Sequence, residues 1–258
     1  MSSVRSLNLF APNSLPMVQP GDDLSGLVAD ALRREDLSLQ DGDVLVVAQK
    51  IVSKSEGRLV RLADVRPTDR ALDLAGKVNK DPRLVQLILD ESNEVVRFRK
   101  DVLIVEHRLG FVMANAGIDM SNVLQEDSDD TALLLPLDPD RSARNLRRGL
   151  GEAFGVDVGV VINDSHGRAW RNGTVGVAIG VAGIASLWDL RGAPDMFGRH
   201  LQSTEVGTAD ELAAAGSLLM GQSSEATPVV VIRGFSWRPQ EDATAHGLVR
   251  ARQYDLFR

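Results

Sequence analysis

The sequence predicts an α+β fold built from mixed sheets with helices packed against them. Strand-like and helix-like segments follow one another without a regular strand–helix–strand rhythm, which favours this class over a doubly wound sheet, and no internal repeat is present. With 258 residues, of which 43% are hydrophobic, the chain can bury a large core as one domain or as two lobes. Cysteine is absent, which excludes a disulfide framework, a zinc–thiolate site and a thiol nucleophile.

Apolar residues at helical spacing, together with capping residues, predict helices along the whole chain. We expect Thr208 and Glu211 to form a capping box, and Gly221 to end that helix at the C′ position. The predicted helices are Asp22 to Arg34, Asp81 to Leu89, Pro139 to Phe154, Thr208 to Met220 and Thr244 to Phe257.

Runs of β-branched residues predict strands between these helices. The longest run, Asp43 to Val52, is predicted as one buried strand with Lys50 and Lys54 near its far end. The segment from Gly110 to Val123 is polar and glycine-punctuated, which is typical of a functional loop. Shorter strands are predicted at Glu94 to Phe98, Val102 to Glu106, Ala132 to Leu135 and Pro228 to Ile232.

The segment from Gly159 to Gly183 gives the first indication of a site. An apolar run ends at Asp164-Ser165, and a series of glycines with two arginines, Arg168 and Arg171, follows. We predict a strand that stops at a carboxylate beside a hydroxyl and then turns through the glycines. Proteins commonly present oxygen ligands to a metal or a phosphate in this way.

Polar side chains at predicted element ends and in loops can supply hard oxygen ligands of the kind that Mg²⁺ and Mn²⁺ prefer. Taken singly, each is equally well explained as a turn or capping residue. A buried Asp164 needs a partner, which is either Arg168 or a metal ion. The arginines either clamp carboxylate or phosphate groups or neutralise nearby acids, and Lys54 either contacts a phosphate or is solvated. The candidate ligands are Asp119, Asn122, Asp164, Ser165 and Gln222.

Composition and missing motifs disfavour several function classes. The 36 acidic residues outnumber the 29 basic ones, and a net charge of −7 argues against a nucleic-acid partner. The sequence has no signal-peptide pattern and no apolar run near the roughly 18 residues of a membrane span, so we expect a cytoplasmic protein without membrane contact. The nucleotide-binding motifs GxGxxG and GxxxxGKS, the zinc motif HExxH and the hydrolase elbow GxSxG are all absent.

Taken together, several long segments resemble the γ-glutamyl ligases of coenzyme F-420 biosynthesis. The resemblance extends from about Leu15 to Gly234. The segments are VVAQKIVSKSEGR (Val46 to Arg58), NAGIDMSN (Asn115 to Asn122), VINDSHGRAWRNG (Val161 to Gly173), AIGVAG (Ala178 to Gly183), DMFGR (Asp195 to Arg199), ADELAAAGSLLMGQ (Ala209 to Gln222) and PVVVIRG (Pro228 to Gly234).

The resemblance implies a family-specific α+β fold of two lobes in an intertwined homodimer. It implies a ligase that uses GTP, two divalent ions (Mg²⁺ or Mn²⁺) and a monovalent cation (K⁺) to attach L-glutamate to the phospholactyl group of the deazaflavin cofactor precursor. The reaction would pass through an acyl phosphate and extend a γ-linked glutamate tail. We expect residues 1–258 to form a single ligase unit without a fused C-terminal flavin-reductase domain.

The resemblance also assigns roles to individual residues. Metal ligands carry over to Asp119, Asp164, Ser165 and Gln222. We add Lys54, Arg168 and Arg171 as catalytic candidates, with the arginines as hypothetical holders of glutamate or the acceptor carboxylate. Nucleotide contacts carry over to Leu15, Pro16, Met17, Val18, Gln49, Lys50, Lys54, Met220, Gly221, Gln222, Ser223, Ser224, Glu225, Ala226 and Thr227, with Asn122 nearby.

Three positions depart from the family pattern. Ser165 replaces a common threonine but keeps the oxygen, whereas His166 and Gly176 replace an aromatic or apolar residue and an acid, which puts acceptor specificity in doubt. Two alternatives remain open. One is a related ligase for another amino acid or carboxylate acceptor, and the other is a metal-dependent phosphohydrolase or nucleotide-binding regulator on the same scaffold.

Overall fold

The computed structural model describes residues 5–121 and 130–256. It confirms the predicted α+β class, because helices pack on several separate sheets, of which the largest combines parallel and antiparallel strands. The helices are α1 (Leu24–Arg34), α2 (Gln49–Ser55), α3 (Asp69–Val78), α4 (Pro82–Asp90), α5 (Pro139–Phe154) and α6 (Thr208–Met220). The strands are β1 (Asn8–Phe10), β2 (Val44–Ala48), β3 (Leu59–Arg61), β4 (Ser92–Arg99), β5 (Val102–His107), β6 (Val112–Ala114), β7 (Thr131–Leu133), β8 (Gly159–Arg168), β9 (Arg171–Ile184), β10 (Trp188–Asp189), β11 (Glu205–Val206), β12 (Val229–Arg233) and β13 (Pro239–Gln240).

A six-stranded sheet in the order β1-β12-β2-β8-β9-β13 forms the centre of the molecule. Strands β2 and β8 are parallel, and the other neighbours in this sheet are antiparallel. Alternate residues of β2 enter opposite cores: Leu45 and Val47 pack with α1 and α5, whereas Val44 and Val46 pack with α6. Because side chains of a strand alternate between faces, an uninterrupted apolar run is what a strand covered on both faces requires.

A second core lies around the small sheet β4-β5-β6. Leu103 and Val105 of β5 are fully buried and share a hydrophobic cluster with residues of α3 and α4. Proline at the first position of α4 and a capping bond from the Arg83 N–H to Asp81 Oδ1 fix where that helix begins, as the sequence predicted.

The predicted strand from Asp43 to Val52 is wrong in its second half. Strand β2 ends at Ala48, and α2 begins directly at Gln49. Ile51 and Val52 are buried, so the apolar run continues through the change from strand to helix. Hydrophobicity alone does not distinguish a buried strand from a short buried helix.

Two further local predictions are corrected. The helix α6 begins at Thr208 with Gly207 as its N-cap, and the Thr208 hydroxyl donates to the Val206 carbonyl, so the capping box with Glu211 is wrong. The terminal helix predicted from Thr244 is replaced by two 3-10 turns, Ala245–Leu248 and Arg252–Tyr254. The last residue of that prediction, Phe257, lies outside the described residues. No helix in the described part of the chain is long and apolar enough to cross a membrane.

Candidate functional site

A cleft of about 870 Å³ opens where the parallel strands β2 and β8 end. Segments that are distant in sequence meet there, because β2, β8 and α6 all direct their carboxyl ends towards it. Its lining comprises residues 15–18, 48–51, 54, 113, 114, 117–119, 121, 163–167 and 220–228. The cleft therefore collects every predicted nucleotide and metal residue that the structure describes.

The helix α2 supplies the two lysines of the cleft. Because the chain becomes helical at Gln49, Lys50 and Lys54 lie one turn apart on one helix face. Lys50 Nζ lies 2.8 Å from Asp119 Oδ2 and donates to Ser121 Oγ at 2.8 Å. Burial and the neighbouring charge of Lys50 lower the pKa of Lys54. Two ammonium groups in one cleft favour a ligand with several negative charges.

Asp119 lies beyond β6, after a 3-10 turn formed by Asn115–Gly117. The polar segment predicted here as a loop is thus partly regular, and its last residues, with the candidate Asn122, lie outside the described residues. Burial acts to raise the pKa of Asp119, but hydrogen bonds from Lys50 and from the Ser121 N–H (2.6 Å) outweigh it and lower the pKa. Asp119 is therefore an anion at neutral pH.

The predicted turn after Asp164 is wrong. Strand β8 continues to Arg168 and pairs with β9 in a long hairpin, with a register shift between Ile162 and Asn163. Asp164 and Ser165 consequently lie within an extended strand, where successive side chains leave opposite faces. The end of the apolar run marks the point where β8 passes beyond the core into the cleft.

Asp164 is paired, but not with the arginine that the sequence suggested. His166 Nε2 lies 3.1 Å from Asp164 Oδ2, and the His166 ring meets the Phe111 ring edge-on with centroids 6.5 Å apart. Arg168 instead donates to the Gly173 carbonyl at 3.1 Å. The alternative of an Asp164–Arg168 pair is therefore wrong in this structure.

Ser165 and Gln222 are brought together across the cleft. The Ser165 hydroxyl donates to Gln222 Oε1 at 2.8 Å, and Gln222 Nε2 donates to Ser217 Oγ at 3.2 Å. Gln222 follows Gly221, which has a φ of 69° and lacks the Cβ that would overlap the Glu225 carboxylate. The loop after α6 thus depends on a glycine to fold against the end of β8.

The two candidate arginines do not line the cleft. Arg168 and Arg171 face each other at the far end of the β8–β9 hairpin, and both are exposed. Trp170, in the turn between them, is 87% exposed. The structure therefore separates the arginines from the residues with which the sequence grouped them.

Sequence reasoning missed Asn163 and did not assign a contact to His166. Asn163 is buried, and its Oδ1 has no hydrogen-bond partner in the described part of the protein, while Nδ2 donates to Met220 Sδ at 3.4 Å. The signal available was its position directly before Asp164. A Cβ at Gly176 would lie 2.5 Å from both Asn163 Oδ1 and the Ala213 carbonyl oxygen, so the departure at 176 has a packing reason.

The four candidate metal ligands described at the cleft are two carboxylates, a hydroxyl and an amide. Within residues 5–121 and 130–256, no three His, Asp or Glu side chains approach closely enough to hold a metal ion by themselves. Mg²⁺ commonly takes one or two protein carboxylates and completes its shell with water and substrate phosphates. Asp119, Asp164, Ser165 and Gln222 fit that pattern and do not fit a closed protein cage.

Comparison with known proteins gives one family. The family model described as F420-0:gamma-glutamyl ligase matches residues 13–234. Coenzyme F420:L-glutamate ligase of Methanothermobacter thermautotrophicus is 46% identical over 253 residues, covering 98% of this chain and 99% of that protein. The proteins of the same name from Methanopyrus kandleri (46% identical, 93% of each chain) and Archaeoglobus fulgidus (40% identical, 98% and 96%) are also similar. The resemblance seen in the motifs is confirmed, and the chain belongs to the F420-0:gamma-glutamyl ligase family.

Proposed function

We propose that this protein is a ligase that attaches L-glutamate to the phospholactyl group of the deazaflavin cofactor precursor and extends a γ-linked tail, with GTP as the energy source. The observation that carries the proposal is the convergence of five separate sequence segments on one cleft that contains two lysines, Lys50 and Lys54, together with the carboxylates of Asp119 and Asp164. Family membership supports the substrates, since relatives over nearly the whole chain are named coenzyme F420:L-glutamate ligase.

The chemistry we propose has two steps. An oxygen of the acceptor carboxylate attacks the γ-phosphorus of GTP, forming an acyl phosphate and releasing GDP. The amine of L-glutamate then attacks the acyl carbon, the C–O bond to phosphate breaks, and an amide and inorganic phosphate form while the amine releases a proton to solvent. Lys50 and Lys54 offset the negative charge on the transferring phosphoryl group, which is the main requirement of phosphoryl transfer.

Two divalent ions, Mg²⁺ or Mn²⁺, and K⁺ belong to this proposal as cofactors. Asp119, Asp164, Ser165 and Gln222 would hold the divalent ions, which supply charge neutralisation to the nucleotide phosphates when bound. The hydrogen bond from Ser165 to Gln222 supports this assignment, because it holds two neutral oxygen donors beside each other at the carboxylate end of the cleft.

We further propose the intertwined homodimer of two-lobed subunits, in the cytoplasm. Arg168 and Arg171 remain hypothetical holders of the glutamate or acceptor carboxylate in that dimer. The β8–β9 hairpin protrudes with its arginines exposed, which suits a segment that approaches the cleft of a second subunit.

The decisive experiment incubates the purified protein with GTP, Mn²⁺, L-glutamate and the deazaflavin precursor and follows the product mass. We expect the product mass to increase by one glutamyl residue at a time, and one GDP to be released for each amide formed. Increments with another amino acid in place of glutamate would support a related ligase. GTP turnover without any amino acid would identify a phosphohydrolase, and nucleotide binding without turnover would identify a regulator.

A further inference from the structure

Within residues 5–121 and 130–256, none of the helices α1 to α6 covers one of the two faces of the sheet β4-β5-β6. Leu103 and Val105 point into the core with α3 and α4, so the residues that alternate with them in β5 lie on the opposite face. Cross-strand register then assigns the members of what we call the open face, which are Val102, Ile104 and Glu106 of β5, Val112 and Ala114 of β6, and Glu94, Arg97 and Arg99 of β4. Partners directly opposite each other in an antiparallel pair share a face.

The open face begins at the cleft. Ala114 of β6 lines the cleft, is paired with Ile104 of β5, and Ile104 is paired with Arg97 of β4. Since neighbouring strands lie about 5 Å apart, Arg97 is about 10 Å from the cleft wall along this row. A ligand that leaves the cleft over Ala114 therefore crosses a short apolar strip and reaches an arginine.

The charge on the open face is divided between its two ends. Arg97 and Arg99 lie at the end next to the cleft, both are exposed, and neither forms an ion pair within the described ranges. The other end carries Glu94 and Glu106, which are bound by Arg252 and by Asn93 respectively. Among the described residues of the open face, the positive charge that is not paired with a carboxylate thus lies in the part that a cleft ligand meets first.

We propose that the open face is the binding surface for the acceptor chain as it leaves the cleft, and that Arg97 and Arg99 set its affinity and the length of its tail. The inference rests on the proposed function and deepens it. A γ-linked glutamate tail keeps one free α-carboxylate per residue, so every addition increases the negative charge of the acceptor. Two guanidinium groups, of which that of Arg97 begins about 10 Å outside the cleft, are complementary to that chain and not to the neutral amide that each step creates.

The test compares Arg97→Glu/Arg99→Glu with Arg97→Lys/Arg99→Lys in the full-length protein. For Arg97→Glu/Arg99→Glu we expect the acceptor KM to rise about tenfold, while the KM values for GTP and L-glutamate stay unchanged. Mass spectrometry should show shorter product tails. The lysine variant keeps the charge and is expected within about threefold of the unaltered protein. Added salt should weaken acceptor binding in the unaltered protein more than in the Arg97→Glu/Arg99→Glu protein.

The matched control is Arg66→Glu/Arg70→Glu. Both arginines are exposed: Arg66 lies just before α3, the helix on the other face of the sheet, and Arg70 lies in its first turn. The same change of charge there should leave acceptor KM and tail length unaltered. Normal tails and acceptor KM in a folded Arg97→Glu/Arg99→Glu protein would overturn the inference. So would loss of subunit association in light scattering, because the open face would then be an interface between copies. Absence of any glutamyl increment with the unaltered protein would instead refute the proposed function.

Discussion

The two ends of the β8–β9 hairpin share one strand pair but have opposite surroundings. At the inner end Asp164 lies in the cleft, paired with His166 and close in sequence to the buried Asn163. At the outer end, four residues further along, Arg168 is exposed and bonded only to the backbone of its own hairpin within the described residues. Two residues that are close in a strand therefore need not belong to one site. A strand rises about 3.3 Å per residue, so four residues already separate two side chains by more than about 10 Å.

The largest expected effect lies at the inner end. Asp164→Asn removes one negative charge without changing the size of the side chain, so we expect kcat to fall about 100- to 1,000-fold. At the outer end, Arg168→Ala with Arg171→Ala should raise the glutamate KM only about three- to tenfold and leave kcat within twofold. Steady-state kinetics of ligation with each substrate varied gives both numbers. An equal fall in kcat for both variants would show that the two ends act as one site, and an unchanged glutamate KM would remove the arginines from the proposal.

A medium effect on stability should distinguish two glycines of the hairpin, one against α6 and one nearer the arginines. A Cβ at Gly176 meets backbone and Asn163 at 2.5 Å, so Gly176→Ala forces α6 away from the hairpin and should lower the free energy of unfolding by about 1–3 kcal/mol. Gly167 has a negative φ, and no atom lies within 4 Å of the position that its Cβ would take. Gly167→Ala should therefore change the free energy of unfolding by less than about 0.5 kcal/mol. Urea unfolding of both variants measures the contrast. Equal stability of the two proteins would mean that α6 does not approach β9 this closely.

The smallest expected effect is a pH dependence of protein stability caused by Asp210, which lies at the inner end of the hairpin. Asp210 Oδ1 accepts the Ala178 N–H at 2.9 Å, and burial raises the pKa of Asp210 above its ordinary value of 3.8. Because the folded pKa is raised, ionisation of Asp210 destabilises the folded state. This loss of stability develops as the pH rises from 3.8 through the folded pKa.

Asp210→Asn keeps an oxygen for the Ala178 N–H and removes the charge. The variant should therefore be more stable than the unaltered protein by about 1 kcal/mol or less at pH 7. The difference should vanish below the unfolded pKa, where Asp210 of the unaltered protein is protonated in the folded and in the unfolded state. Thermal unfolding at a series of pH values tests this. A difference that grows on acidification would contradict the sign.

Local patterns predicted the elements that depend on residues close in sequence. The apolar stripe and first-turn proline of α5 fall at the predicted residues, as does the proline-capped start of α4. The strand β12 also agrees, because its four consecutive buried residues, Val229 to Ile232, enter the two cores alternately and leave little alternative to a strand. The failure at β2 occurs where the apolar run passes from strand to helix at Gln49, since burial is the same in both and only the backbone differs.

By itself, the sequence determined the fold class, the family and the types of oxygen and ammonium groups available, because composition, capping and long ordered motifs are properties of neighbouring residues. Only the tertiary structure decided which of these groups meet. Lys50 reaches Asp119 across a sequence separation of 69, and Ser165 reaches Gln222 across one of 57. Such contacts depend on strand order and register, which are fixed by packing the whole sheet between its helices, and the same packing left Arg168 and Arg171 outside the cleft.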